Sequence, residues 1–135
     1  MENLIIEGTR DTYFTPNVEL KSENGNCSIT GESYLEEPFE FYEKISAWFK
    51  QYFSEGGEAI TLDLKLTYFN TSSSRAILEM LRELKFLKDD GKDVTVNWYY
   101  PDPDDEEILM EGEDFMEESG LDINMVEYEL DEDDY

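Results

Sequence analysis

The stretch AITLDLKLTYF, residues 59–69, alternates apolar and polar side chains over eleven positions. A period of two belongs to a β-strand, whose successive side chains leave opposite faces of the sheet. Ile60, Leu62, Leu64, Leu66 and Tyr68 are predicted to face a core, and Thr61, Asp63, Lys65 and Thr67 to face water. Such a strand is buried on one side only. A doubly wound sheet with helices on both faces would make its central strands apolar throughout, so that architecture is excluded. The chain is predicted to be an α/β protein: a mixed β-sheet of about five or six strands with helices packed mainly on one face.

The flanking segments fit that plan. Residues 4–9 form a short apolar strand, and VELKSENGNCSITG reads as a β-hairpin turning at Asn24-Gly25, where a positive φ is tolerated. From Pro38 to residue 53, Phe41, Tyr42, Ile45 and Trp48, then Phe49, Tyr52 and Phe53, line one broad helical stripe. Packing against a core is the expected use of this stripe; an aromatic box for a ligand is the alternative. A second helix spans about residues 71–88, with Ile77, Met80, Leu81, Leu84 and Leu87 on its core side. VTVNWYY is a further strand, and residues 104–119 a third helix anchored by Ile108, Leu109, Phe115 and Met116, with Gly112 weakening its middle. A last strand covers 123–130. Residues 1–130 are expected to be one domain and DEDDY, 131–135, a disordered acidic tail.

Charge narrows the function. Thirty-five acids against ten bases leave a net charge of −25, which repels nucleic acid and anionic lipid and favours basic partners or cations. No histidine is present, removing the commonest general acid/base and transition-metal ligand, so neither an enzyme nor a cofactor is expected. The single cysteine, Cys27, excludes an internal disulfide and is expected to be a half-buried strand residue. No signal peptide or membrane-spanning run is evident, and a soluble cytoplasmic protein is the expectation.

Three constellations remain. The acids between residues 102 and 118 lack the D-x-D-x-D-G pattern of a calcium loop and read as solvated charge at a helix start, with divalent-cation binding as the rival. Gly56-Gly57 stands between helix and strand, the reverse of a phosphate-cradling order. The third is FNTSSSR. Asn70, Thr71 and the serines suit the N-cap of the second helix. Alternatively, phosphate on Thr71 would place up to about two negative charges beside Arg75, Leu78, Arg82 and Phe86 on the helix's outer side, without unfolding it.

The strand, polar turn and helix order resembles the phosphorylation turn of STAS-type anti-anti-sigma antagonists, whose D-S-S-G-L carries the modified serine. Asn70 matches its Asp and Thr71 its Ser, while Ser73 replaces its Gly. GESYLEEP, LTYFNTSSSRAILEML and VNWYYPDPDDEEILMEGEDF together resemble the SiaC-type regulatory phosphoproteins, a STAS-like bacterial family, over nearly the whole chain. That resemblance implies a STAS-like domain that switches partners. A dedicated kinase would phosphorylate Thr71, a PP2C-like phosphatase would reverse this, and the unphosphorylated form would bind and stimulate a diguanylate cyclase. Asn70, Ser72, Ser73, Arg75, Leu78, Arg82 and Phe86 would then form the docking surface. An acidic divalent-cation-binding or charge-mimic protein without a switch is the rival function.

Overall fold

A computed structural model of the chain describes residues 1–10, 14–101 and 106–128. The predicted acidic tail, the end of the predicted last strand at 129–130, and the start of the acidic segment at 102–105, with the predicted start of the third helix, lie outside these residues. The elements, in chain order, are β1 (Leu4–Ile6), β2 (Thr9–Arg10), β3 (Phe14–Thr15), β4 (Asn17–Leu20), β5 (Asn26–Ser33), α1 (Pro38–Ser54), β6 (Ala59–Phe69), α2 (Thr71–Asp89), β7 (Asp93–Pro101), α3 (Glu106–Ser119) and β8 (Ile123–Tyr128). The predicted strand at 4–9 divides into β1 and β2, because β1 pairs with β4 while β2 pairs with β3 in a separate ribbon.

Six strands form one mixed sheet in the order β1-β4-β5-β6-β7-β8. The first three are antiparallel neighbours, joined at β4 and β5 by the Asn24-Gly25 turn, where Gly25 adopts a φ of 71°. From β5 to β8 all pairing is parallel, and each connection steps to the next strand in the same direction. Right-handed crossovers in one direction place every helix on one face. Accordingly α2 packs between α1 and α3.

The helix-side residues of β4, β5, β6 and β7 are buried, with Val18, Ile29, Ile60, Leu62, Leu64 and Trp98 fully inaccessible. They meet Tyr42, Ile45 and Phe49 of α1 and Ile77, Leu81 and Leu84 of α2. The aromatic stripe of α1 is therefore core; Trp48 and Tyr52 stack with centroids 5.4 Å apart. Pro38 starts this helix at its first turn, where a missing N–H costs nothing. The opposite face of the sheet carries polar side chains: Asn97 donates to Asp63 at 2.8 Å and Asn124 donates to Asn97 at 2.9 Å.

The alternation in β6 breaks near its end. Gly31 pairs with Leu66 but Glu32 pairs with Tyr68, so Thr67 is an extra residue and the facing reverses beyond it. Tyr68, expected in the core, is half exposed. Phe69 turns inward instead, 6.0 Å from Trp98 and 5.7 Å from Phe115 between ring centroids.

Cys27 is buried beneath the hairpin, with its thiol donating to the Gly25 carbonyl at 3.4 Å. Burial pushes the thiol from 9.0 up to about 12. Above pH 9.0 an unfolded chain releases this proton while the folded chain keeps it, so stability falls as pH rises toward about 12. Tyr42 and Tyr99, also raised by burial, act with the same sign. Denaturant titrations at pH 8 and pH 10.5 are expected to show lower stability at the higher pH, with a smaller loss in Cys27→Ala. A pH-independent midpoint would contradict this account.

Candidate functional site

The turn between β6 and α2 is built by Asn70. Its backbone is extended, with φ −81° and ψ 175°, and its Oδ1 accepts from the Ser73 N–H at 2.9 Å. Its carbonyl accepts from the Ser74 N–H at 2.9 Å, and its own N–H donates to the Ser33 carbonyl at 3.2 Å. Asn70 is thus the N-cap. Thr71, a capping candidate in the sequence, is instead the first helical residue, and it is exposed. Its modification would leave the cap intact.

The other hydroxyls of the row differ in access. Ser72 and Ser74 are half-buried, whereas Ser73 is completely inaccessible. Ser73 therefore does not belong to a docking surface, contrary to expectation, because its side chain turns into the protein. There its Oγ accepts from Ser33 Oγ at 3.0 Å, and Ser33 Oγ accepts from the Tyr42 hydroxyl at 2.9 Å. Burial holds the Tyr42 phenol well above its ordinary pKa, so it stays a neutral donor at physiological pH.

Along the outer side of α2, Arg75 and Arg82 are exposed, Phe86 is 72% exposed and Leu78 is half-buried against the core. Arg75, Arg82, Lys85 and Lys88 are four of the chain's ten basic residues, concentrated on one helix of a strongly acidic protein. Lys85 pairs with Asp89 at 2.7 Å.

Across from Thr71 stands α3. Phe69, Asn70, Thr71 and Ser74 line one side of a cleft of about 290 Å³, and Glu111, Asp114, Phe115 and Glu118 line the other. Spacings of three and four residues put these three carboxylates on one stripe of α3. The free N–H groups and dipole of α2 favour an anion at Thr71, while the α3 carboxylates disfavour one inside the cleft. This juxtaposition had no signal in the sequence, since it depends on α3 packing beside α2. Ser33 and Tyr42 were also missed as site residues, although Ser33 lies within GESYLEEP. Among the described residues no group of three or more histidines, cysteines or acids is arranged to hold a metal ion, and no helix is long and apolar enough to cross a membrane.

Comparison with known proteins extends this geometry. The chain is 31% identical over 118 residues, 87% of its length and 90% of the relative's, to an uncharacterized protein of Pseudomonas aeruginosa. It superposes on the crystal structure of apo-SiaC from Pseudomonas aeruginosa with a TM-score of 0.81 and 28% identity, covering 93% of this chain and 99% of that one. A chain in the crystal structure of the diguanylate cyclase SiaD in complex with its activator SiaC, from the same organism, matches with a TM-score of 0.82 and 28% identity, again covering 93% and 99%. The model of the SiaC family regulatory phosphoproteins matches residues 6–128. An exposed threonine at a capped helix start thus stands in a chain that belongs to the SiaC family of regulatory phosphoproteins.

Proposed function

We propose that this chain, unphosphorylated, binds and stimulates a diguanylate cyclase, and that phosphorylation of Thr71 by a dedicated kinase blocks the binding until a PP2C-like phosphatase removes the phosphate. The chain itself is a binder rather than a catalyst, and it works in the cytoplasm, where a cyclase finds its nucleotide substrate. The observation that carries this reading is the division of labour at the turn: Asn70 caps α2, leaving Thr71 exposed at N1. The likeness to a SiaC chain bound to its cyclase supports the choice of partner.

The docking face is the outer side of α2, with Arg75, Arg82, Leu78 and Phe86 beside Asn70, Thr71 and Ser72. An acidic surface on the cyclase would complement the two exposed arginines, and Phe86 would enter an apolar pocket. The kinase must reach the same threonine, so its footprint overlaps that of the cyclase. Phe86→Ala and Arg82→Ala are each expected to weaken cyclase binding by roughly tenfold, as truncation of an interface anchor does. Both side chains are exposed, so the melting temperature should stay within about 2 °C of wild type. Unchanged affinity in both variants would move the docking face elsewhere.

The test of the whole reading begins with the chain purified from its native cells together with whatever binds it. Intact-mass analysis and peptide mapping should find one phosphate, on Thr71, in the fraction free of cyclase. The unphosphorylated fraction should raise cyclic di-GMP synthesis when returned to the purified cyclase. Equal stimulation by both fractions would refute it.

A further inference from the structure

Four consecutive hydroxyl residues, Thr71, Ser72, Ser73 and Ser74, lie at the switch, and a kinase acting on a loose turn would have little reason to prefer one. The structure ties one of them, Ser73, to distant elements. Tyr42 of α1 donates to Ser33 at the end of β5 at 2.9 Å, and Ser33 donates to Ser73 of α2 at 3.0 Å. Tyr42 is 1% exposed and both serines are 0% exposed, so the chain of hydroxyls is sealed from water. Backbone bonds run beside it, from the Asn70 N–H to the Ser33 carbonyl and from the Ser73 N–H to the Asn70 side chain.

We infer that the buried Tyr42–Ser33–Ser73 hydroxyl chain is a phase lock that selects Thr71 as the modified hydroxyl. Residues two apart on an α-helix point about 200° apart around its axis, so holding Ser73 inward turns Thr71 outward. Ser72 and Ser74, to either side, are left half-buried. Apolar side chains at these three positions could fill the same space, but they would not specify a rotation of the first turn. Hydroxyls do, because each has one direction in which its buried group is satisfied. First turns of helices fray readily, and this one is tied at the same time to β5 and to α1. Tyr42, Ser33 and Ser73 are thus positioning residues, acting on the site through Thr71. This inference rests on the proposal that Thr71 is the switch.

The test uses the full chain and three variants, Tyr42→Phe, Ser33→Ala and Ile45→Val, each purified from native cells. Trypsin cuts after Lys65 and Arg75, so residues 66–75, LTYFNTSSSR, form one peptide in which fragmentation locates the phosphate. Tyr42→Phe and Ser33→Ala alter none of the candidate hydroxyls in that peptide. Ile45→Val loosens α1 packing, since Ile45 is fully buried, but leaves the hydroxyl chain intact.

In wild type the phosphate is expected on Thr71. In Tyr42→Phe and Ser33→Ala the share on Ser72 and Ser74 should rise by roughly tenfold, the factor that corresponds to losing one buried hydrogen bond. In Ile45→Val it should not change. Should Ser33→Ala fail to fold, Tyr42→Phe decides alone. Phosphate confined to Thr71 in every network variant overturns the phase lock while leaving the switch intact. A spread of equal size in Ile45→Val also overturns it, since general loosening would then suffice. A wild-type chain with no phosphate on Thr71 overturns the switch itself, and the phase lock with it.

Discussion

Phosphorylated chain is expected to bind the cyclase about 100-fold or more weakly than unphosphorylated chain, with Thr71→Ala close to wild type and Thr71→Glu between them. A phosphate brings up to about two charges and three strongly hydrated oxygens, whereas glutamate brings one charge and less hydration. Juxtaposing like charges in an interface costs several kcal/mol, and each 1.4 kcal/mol is about a factor of ten. Two sources of negative charge act together here. One is the acidic cyclase surface that we propose docks against Arg75 and Arg82. The other is internal: Glu111, Asp114 and Glu118 face Thr71 across the cleft, so a phosphate is discouraged from folding back toward α3 and would project toward the proposed docking face.

A helix start would ordinarily welcome an anion, by about 0.3–1 kcal/mol. That term stabilises the phosphorylated fold without offsetting the loss of contact. Calorimetric titration of the four forms against the cyclase measures the series, and repeating it at high salt should narrow the gap between phosphorylated and unphosphorylated chain, since exposed charges are screened. Binding of the phosphorylated chain within threefold of Thr71→Ala would sink the mechanism. Melting temperatures measured in parallel should be nearly equal, because Asn70 keeps the cap in every form.

Gly112→Ala is expected to destabilise the chain by about 2–3 kcal/mol, lowering the melting temperature by roughly 10 °C. A Cβ at this position would lie 2.3 Å from Cδ1 and 2.6 Å from Nε1 of Trp98. The indole cannot withdraw easily: Trp98 is fully buried, donates to the Ile108 carbonyl at 2.9 Å, and packs edge-on against Phe69 and Phe115. Intrinsic propensity alone would favour alanine in a helix by about 1 kcal/mol, so the expected sign reverses the local preference. Thermal unfolding of Gly112→Ala, Trp98→Phe and the double variant forms a cycle in which the smaller ring should recover part of the alanine's cost. An alanine variant as stable as wild type would show that α3 is not seated by this contact. Since α3 carries the carboxylates opposite Thr71, a displaced α3 should also blunt the difference in cyclase binding between the phosphorylated and unphosphorylated chain.

The elements legible in the sequence are those whose signals are local. Asn24-Gly25 marks a hairpin because the turn needs a residue that accepts positive φ, and Gly25 adopts it. The stripe of α1 and the core side of α2 follow from a period near 3.6, and the same periodicity correctly put Arg75, Arg82 and Phe86 on an exposed face. Propensity marks Gly112 as a weak point in the third helix because it counts only the helix; in the fold it is the place where the helix meets Trp98. Unbroken alternation would put Tyr68 in the core, but a bulge interrupts it. That bulge is set by pairing with Glu32 of β5, far away in the chain.

The turn that carries Thr71 divides in the same way. Polar residues between a strand and an amphipathic helix are enough to predict a capped helix start, because the four orphan N–H groups must be satisfied whatever the fold. Which residue caps and which faces water is not contained in NTSSS. Adjacency to Thr71 suggests that Ser73 shares its surface, yet the orientation of Ser73 depends on Ser33, forty residues earlier, and on Tyr42. From the sequence alone came the one-sided strand, the helix faces and the acidic character, all governed by backbone period and side-chain polarity, while the candidate threonine came from the resemblance of its turn to a known family. Tertiary structure decided that Asn70 is the cap, that Ser73 is inside and Thr71 outside, and that three carboxylates of α3 stand across from Thr71. Those outcomes depend on strand order and on buried hydrogen bonds between distant segments, whose geometry exists only once the sheet has brought them together.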